Sequence, residues 1–305
     1  MTPGSAGPSC PACGDLRTGA GRAVPDHEYG VAYVATYVAC SGCGSLRQDP
    51  MPSGAELAGF YPPDYHARTG QGLLGRLRHQ ARFRRLAPLV GDGPVLDYGC
   101  GNGDFLRYVA RRRPGPEYYG FEIADRREVT VLDGGAVTVV RGDVDDACSI
   151  VPTCHLITMN HVVEHLPDPL AVVSELAAKL APGGVLEGQT PAAGSLEHRV
   201  FRDAWSGYHS PRHTVVFSAP GLATMLAKAG LVDVEVERAF NPASLAVSVA
   251  SVPQGRRGGH IRRSGASWLA SVAMATAFAP VDLLSDSPAI VDFTARRPAG
   301  ATAAG

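Results

Sequence analysis

The chain has 305 residues, room for two domains or one with appendages, and its 28 Lys plus Arg nearly cancel its 29 Asp plus Glu, for a formal charge of −1. That balance argues against the extended basic surface of a nucleic-acid binder. With hydrophobic residues at 45%, charged residues at 19% and aromatics at 7%, coiled coil, collagen and wholesale disorder are excluded. No stretch combines the charged start, apolar middle and cleavage site of a secretory signal, so a cytoplasmic protein is expected.

Four of the seven cysteines form two matching pairs, Cys10-Pro-Ala-Cys13-Gly and Cys40-Ser-Gly-Cys43-Gly. A repeated C-x-x-C followed by Gly is the zinc-ribbon arrangement: two tight turns each present two thiolates, and four thiolates close a tetrahedral shell. The glycine after each pair allows the turn a positive φ. Twenty-six residues separate the pairs, enough for a hairpin, and Val31, Tyr33, Ala35, Tyr37 and Val38 supply strand-like composition within it. Two disulfides are the competing reading, disfavoured where no secretory signal precedes them. A structural zinc on Cys10, Cys13, Cys40 and Cys43 is therefore expected, in a ribbon over residues 1–50.

Residues 51–90 read as a linker, broken at Pro62-Pro63, followed by a basic helical stretch from Leu73 to Leu89. An apolar strand then runs from Val95 into the glycine loop Gly99-Cys100-Gly101-Asn102-Gly103 and on into a helix whose Phe105, Leu106, Val109 and Ala110 share one face. The loop reads G-x-G-x-G, which differs from the G-x-G-x-x-G of a pyrophosphate binder. Alternate glycines let the backbone pass close under a nucleoside with no phosphate to cap. A second strand, Tyr118 to Phe121, ends at Glu122, nineteen residues after Gly103, where a carboxylate accepts ribose hydroxyls. Asp143, in Gly142-Asp143-Val144, follows the next apolar run and is within reach of an adenine amino group on this reading.

A fourth strand at His155 to Asn160 and Pro182-Gly183-Gly184 before a fifth complete an ordered series. Together with Asp97, the glycines, Glu122 and Asp143, it resembles the class I S-adenosylmethionine-dependent methyltransferases, from about Val95 to the C-terminus. More narrowly, the double C-x-x-C, the run Asn160-His161-Val162-Val163-Glu164-His165-Leu166 with Asp168-Pro169, and Trp205, Tyr208-His209 and Pro211-Arg212-His213 resemble a bacterial group of zinc-ribbon methyltransferases acting on small molecules, including sugars and natural products. The resemblance implies an α/β chain with a Rossmann-like doubly wound sheet and a small N-terminal zinc ribbon. It implies S-adenosylmethionine bound by Asp97, Gly99, Gly101, Gly103, Glu122, Asp143, Val144 and Asn160. A rival reading from another class is a non-catalytic interaction or regulatory module on a methyltransferase scaffold, and the intact glycines and Glu122 argue against it.

Methyl transfer to oxygen or carbon also requires loss of a proton, and histidine suits that task near neutral pH. The candidates are His161, His165, His198, His209 and His213, with His209, His213 and His161 foremost and Tyr208 and Arg212 beside them as an acceptor wall. The plainer alternative pairs Arg212 with Glu197 or Asp203. The last two strands are expected at Val232 to Arg238 and Ala289 to Arg297, around an insertion at about 240–288. Its apolar segment, Ser264 to Val281, is rich in Ala, Ser and Thr and interrupted by Pro280, short of a membrane span. A packed helix is expected there, with a lid or a membrane- or carrier-docking patch as the alternative. The expected partner is a small-molecule acceptor.

Overall fold

The computed structural model describes residues 9–62, 72–124, 126–142, 149–239, 242–257, 260, 261, 263 and 265–300. It holds two sheets. The N-terminal sheet begins with β1 (Arg22–Pro25), β2 (Val34–Ala39) and β3 (Leu46–Gln48), all antiparallel. Ala35, Tyr37 and Val38 lie on β2 as read from the sequence, while Val31 and Tyr33 precede it.

After α1 (Gly54–Gly59), whose N-cap Ser53 and Glu56 make a reciprocal capping box, comes α2 (Gly72–Leu86), the basic helix. The large sheet then builds from β4 (Val95–Tyr98), α3 (Asp104–Ala110), β5 (Tyr118–Ile123), β6 (Glu128–Leu132) and β7 (Val137–Gly142). It continues with β8 (Cys154–Asn160), α4 (Pro169–Lys179), β9 (Leu180–Pro191) and α5 (Leu196–Phe201). The C-terminal third adds β10 (Val215–Val216), α6 (Ala219–Lys228), β11 (Val232–Ala239), α7 (Pro242–Arg257), α8 (Gly265–Leu284) and β12 (Ile290–Arg296).

The strand order of the large sheet is β11-β12-β9-β8-β4-β5-β7-β6. Its central strands β9, β8, β4, β5 and β7 are mutually parallel, and β6, β11 and β12 pair antiparallel at the margins. From β4 the chain moves outward to β5 and β7, then returns to the opposite side of β4 at β8. The crevice at the carboxyl ends of β4 and β8 is thus a topological switch point, where open α/β sheets bind ligands. Both faces are covered, as strand alternation requires. Leu96, Tyr98 and Ile157 pack with Val173 and Leu176 of α4 and Leu222 and Met225 of α6. Val95 and Leu156 face the other way, onto Leu86, Phe105, Leu106 and Val109 of α2 and α3. This is the Rossmann-like, doubly wound α/β architecture expected from the sequence.

The N-terminal sheet is completed from far along the chain: β10 pairs with β3, Val215 opposite Arg47 and Val216 opposite Leu46. Val24, Tyr37 and Leu46 share a core with Trp205, Tyr208 and Val216. In the insertion, α7 and α8 pack together through Leu245, Ala246 and Ala275. Leu269, Met274 and Phe278 of α8 are exposed, and no described helix is long and apolar enough to cross a membrane.

Candidate active site

The glycine loop turns directly off β4. The N–H groups of Gly99 and Cys100 both donate to the Phe121 carbonyl (2.8 and 2.9 Å), tying the loop to β5. Gly99, Gly101 and Gly103 all take left-handed φ, at +80°, +58° and +74°. A Cβ on Gly99 would lie 2.4 Å from Val162 Cγ2, so β8's exit is pressed against the loop at this position. A Cβ on Gly101 meets no described atom within 4 Å, which leaves an open shelf beside the loop. Glu122, at the end of β5, accepts a 2.6 Å hydrogen bond from the Gly101 N–H and so stands at the rim of that shelf. The shelf and the acidic rim are what a nucleoside with free ribose hydroxyls requires.

Asp97 and Asn160 sit at the same edge, and each holds α2 there. Asp97 is buried and accepts from Arg82 Nη2 (2.6 Å) and Thr158 Oγ1 (2.5 Å). Asn160 Oδ1 accepts from Arg85 Nη2 (3.0 Å), while the same guanidinium reaches Glu187 and Asp292. Arg82 and Arg85, one turn apart, thus anchor the helix that reads as a linker in sequence. Burial pushes the Glu187 carboxyl upward, with Arg85 and Arg82 opposing. Asp143 and Val144 lie outside the described residues.

The histidines converge on one wall. His161, at φ +57°, follows β8 directly and is partly exposed; its Nδ1 lies 3.3 Å from Glu164 Oε1 and its Nε2 3.1 Å from Gln189 Oε1. Gln189 donates its amide to Asp292 (2.6 Å), so its oxygen is the atom turned toward the ring. Both neighbours of His161 are therefore acceptors. His165, His209 and His213 pack ring to ring at centroid distances of 4.4–5.9 Å. His209 spans Glu28 (Nδ1–Oε1, 2.7 Å) and Arg212, whose Nε donates to its Nε2 at 3.0 Å. His213 is buried with Nδ1 donating to the Gly207 carbonyl (2.8 Å). Burial lowers His165 to about 4 and takes His213 well below the usual imidazole range, so both rings are neutral. His198, stacked on Trp205 and bonded to the Tyr208 hydroxyl (3.0 Å), is also lowered to about 4 by burial.

Arg212 pairs with neither Glu197 nor Asp203 but with Asp26 of the N-terminal sheet. That loop also carries Glu28, held near 2 against its burial by His209 and then Arg263 and Arg212. Asp26 and Glu28 are the wall's missing carboxylates. Their only sequence signal was two acids flanking His27 in a short loop.

The match to known proteins covers this same edge. A family model described as a methyltransferase domain matches residues 70–236, from α2 through β11. The chain belongs to the methyltransferase-domain family. A "Probable S-adenosylmethionine-dependent methyltransferase" of Mycolicibacterium smegmatis is 30% identical over 70% of this chain and 77% of its own length. One of the same description from Mycobacterium tuberculosis is 29% identical, over 52% of this chain and 55% of its own length. Among solved structures, a SAM-dependent methyltransferase from Archaeoglobus fulgidus is 20% identical with a TM-score of 0.47, covering 73% of this chain and 94% of that one. The family match and the Mycolicibacterium smegmatis relative make the chain an S-adenosylmethionine-dependent methyltransferase, as the glycine loop and Glu122 led the sequence reading to expect.

In the N-terminal part of this methyltransferase the four cysteines come together. Cys10 and Cys43 have their sulfurs 3.8 Å apart and Cys13 and Cys40 theirs 3.5 Å, close to the edge of about 3.8 Å for a tetrahedron with 2.3 Å metal–sulfur bonds. These separations are far beyond a sulfur–sulfur bond, and all four are free thiols. Gly14 and Gly44 take φ of +83° and +78° and donate back to the Cys10 and Cys40 carbonyls. Against the upward push of burial, the N–H groups of Cys43 and Gly42 bring the Cys40 thiol down to about 7.

Proposed function

We propose that this methyltransferase moves the sulfonium methyl of S-adenosylmethionine onto an oxygen or carbon of a small polar acceptor, a sugar or natural product, with His161 as the base. The cofactor supplies an activated methyl group whose departure leaves a neutral thioether. On this reading Glu122 and the open face of Gly101 orient the nucleoside, and Arg82 and Arg85 hold α2 over the same edge. Positioning supplies most of the catalysis, because donor and acceptor need only be held about 3–3.5 Å apart and aligned.

The observation that carries the choice of base is that His161 alone among the three foremost histidines adjoins the loop and is partly exposed, Val162 packing on Gly99. The lone pair of His209 already accepts from Arg212 Nε while its other nitrogen faces Glu28, whereas neither neighbour of His161 offers its ring a proton. Glu164 and Gln189 present oxygens to His161, the surroundings that stabilise an imidazolium once the ring has accepted the acceptor's proton. Tyr208 and Arg212 then serve as wall and scaffold, their polar atoms bonded to His198 and to Asp26. A His161→Gln variant tests the assignment: turnover is expected to fall by roughly a hundredfold with cofactor affinity nearly unchanged. Wild-type turnover in that variant would move the role elsewhere.

The four cysteines are proposed to hold one structural zinc. The donor set and the sulfur separations support it, and zinc content reduced by Cys40→Ser is the measurement.

A further inference from the structure

The turn Val163–His165 that follows β8 ends against His213, just before β10. Glu164 is fully buried there, and among the described residues its Oε2 has no hydrogen-bond partner. A buried carboxylate oxygen without a donor is costly, so its environment calls for a positive partner. His161 Nδ1 faces the other oxygen, Oε1, at 3.3 Å, and the two further histidines beside Glu164 offer it no proton. His213 commits its Nδ1 proton to the Gly207 carbonyl, which leaves a lone pair on Nε2, 3.9 Å from Glu164 Oε1. His165 places Nδ1 3.2 Å from the Arg212 carbonyl and 2.8 Å from the Tyr61 hydroxyl, and the same tautomer leaves its Nε2 as an acceptor. One ligand atom each from Glu164, His165 and His213 lies within 4.8 Å of the other two.

Three acceptors facing one another repel unless a cation lies between them. A shared proton would draw His213 Nε2 and Glu164 to hydrogen-bond distance, and 3.9 Å is too long for that. Two imidazoles and a carboxylate form the protein ligand set of open zinc sites. Pinning each imidazole's other nitrogen to a backbone carbonyl is the outer support that such ligands receive. Metal–ligand bonds of about 2.1 Å put ligand atoms about 3.4 Å apart, so the Glu164–His213 gap needs to close by only about half an ångström.

We infer that Glu164, His165 and His213 form a second metal site, separate from the four cysteines, that takes a divalent first-row cation of the zinc type. Three protein ligands leave a coordination position for water or a ligand oxygen. The inference does not depend on which histidine removes the acceptor's proton.

Metal analysis of the full chain, loaded with zinc and freed of excess, tests it. The wild type should carry about two zinc ions, and Glu164→Gln and His213→Gln about one each, with the cysteine zinc retained. Cys40→Ser should spare the second ion. As Glu164→Gln can fail to fold, cobalt titration of the wild type gives an independent reading. A second cobalt equivalent that adds visible absorption without adding sulfur-to-metal charge-transfer intensity supports the site. About one zinc per wild-type chain, with all cobalt absorption saturating at the first equivalent, overturns it.

Discussion

Arg212 and Asp26, 186 residues apart in sequence, form a two-pronged ion pair at 3.0 Å for each bond, with neither side chain exposed to solvent. The pair joins the loop after β1 to the segment leading into β10, the strand that completes the N-terminal sheet. The guanidinium also donates to the Phe60 and Ser210 carbonyls and to His209, so all five of its N–H donors are used.

Breaking that pair from one side leaves the other charge buried alone. Asp26→Asn or Arg212→Ala is expected to cost about 3–5 kcal/mol in denaturant unfolding, more than any exposed pair on this chain. Loss of less than about 1 kcal/mol in both variants would mean that strand pairing and packing hold the two parts together without the ion pair.

Stability should fall with acid well before carboxylates titrate. His165 and His198 sit at about 4 in the folded chain against 6.5 when unfolded, so below pH 6.5 the unfolded state binds protons that the folded state does not. Stability therefore rises with pH from about 4 to 6.5 and is fully present above that range. Glu28, held near 2 against 4.5, adds a contribution present above pH 4.5 and lost as the pH falls through 2. Urea unfolding across this range should show the first slope, reduced in His198→Gln. A flat profile between pH 4 and 6.5 would contradict it.

Gly101 offers a separate test of the shelf. Its φ of +58° makes Gly101→Ala locally strained, at about 1 kcal/mol, but no described atom blocks the new methyl. Folding should survive while affinity for S-adenosylhomocysteine drops at least about tenfold, since the methyl enters the space left for the nucleoside. Unchanged affinity would place the ligand away from the loop.

The parts of this architecture that were legible in sequence are those whose partners lie nearby in the chain. Val95 to Asp104 spells strand, glycine loop and helix within ten residues, and Glu122 follows on the next strand. The cysteines were legible because metal-type spacing repeats locally. The pairing of β10 with β3, the Asp26–Arg212 bond and the grip of Arg85 on Glu187 join segments up to 186 residues apart, and no local pattern encodes them. β6 was missed for another reason. It is a largely exposed edge strand without a buried stripe, yet Leu132-Asp133-Gly134 before β7 carries the Asp-Gly hairpin signal that marks it. The histidine wall was read as a group, but which ring stands nearest the loop depended on the close approach of Val162 to Gly99.

The central claim is that the nucleoside cofactor binds at the carboxyl edge of β4 and β5, with Glu122 at its rim. Calorimetry of the folded chain with S-adenosylhomocysteine tests it most directly, comparing wild type with Glu122→Ala. Saturable binding of about one ligand per chain, weakened by a factor of ten or more in the variant, with unfolding midpoints alike, is the predicted result. Absence of binding to the folded wild type, or equal affinity in the two proteins, would contradict it.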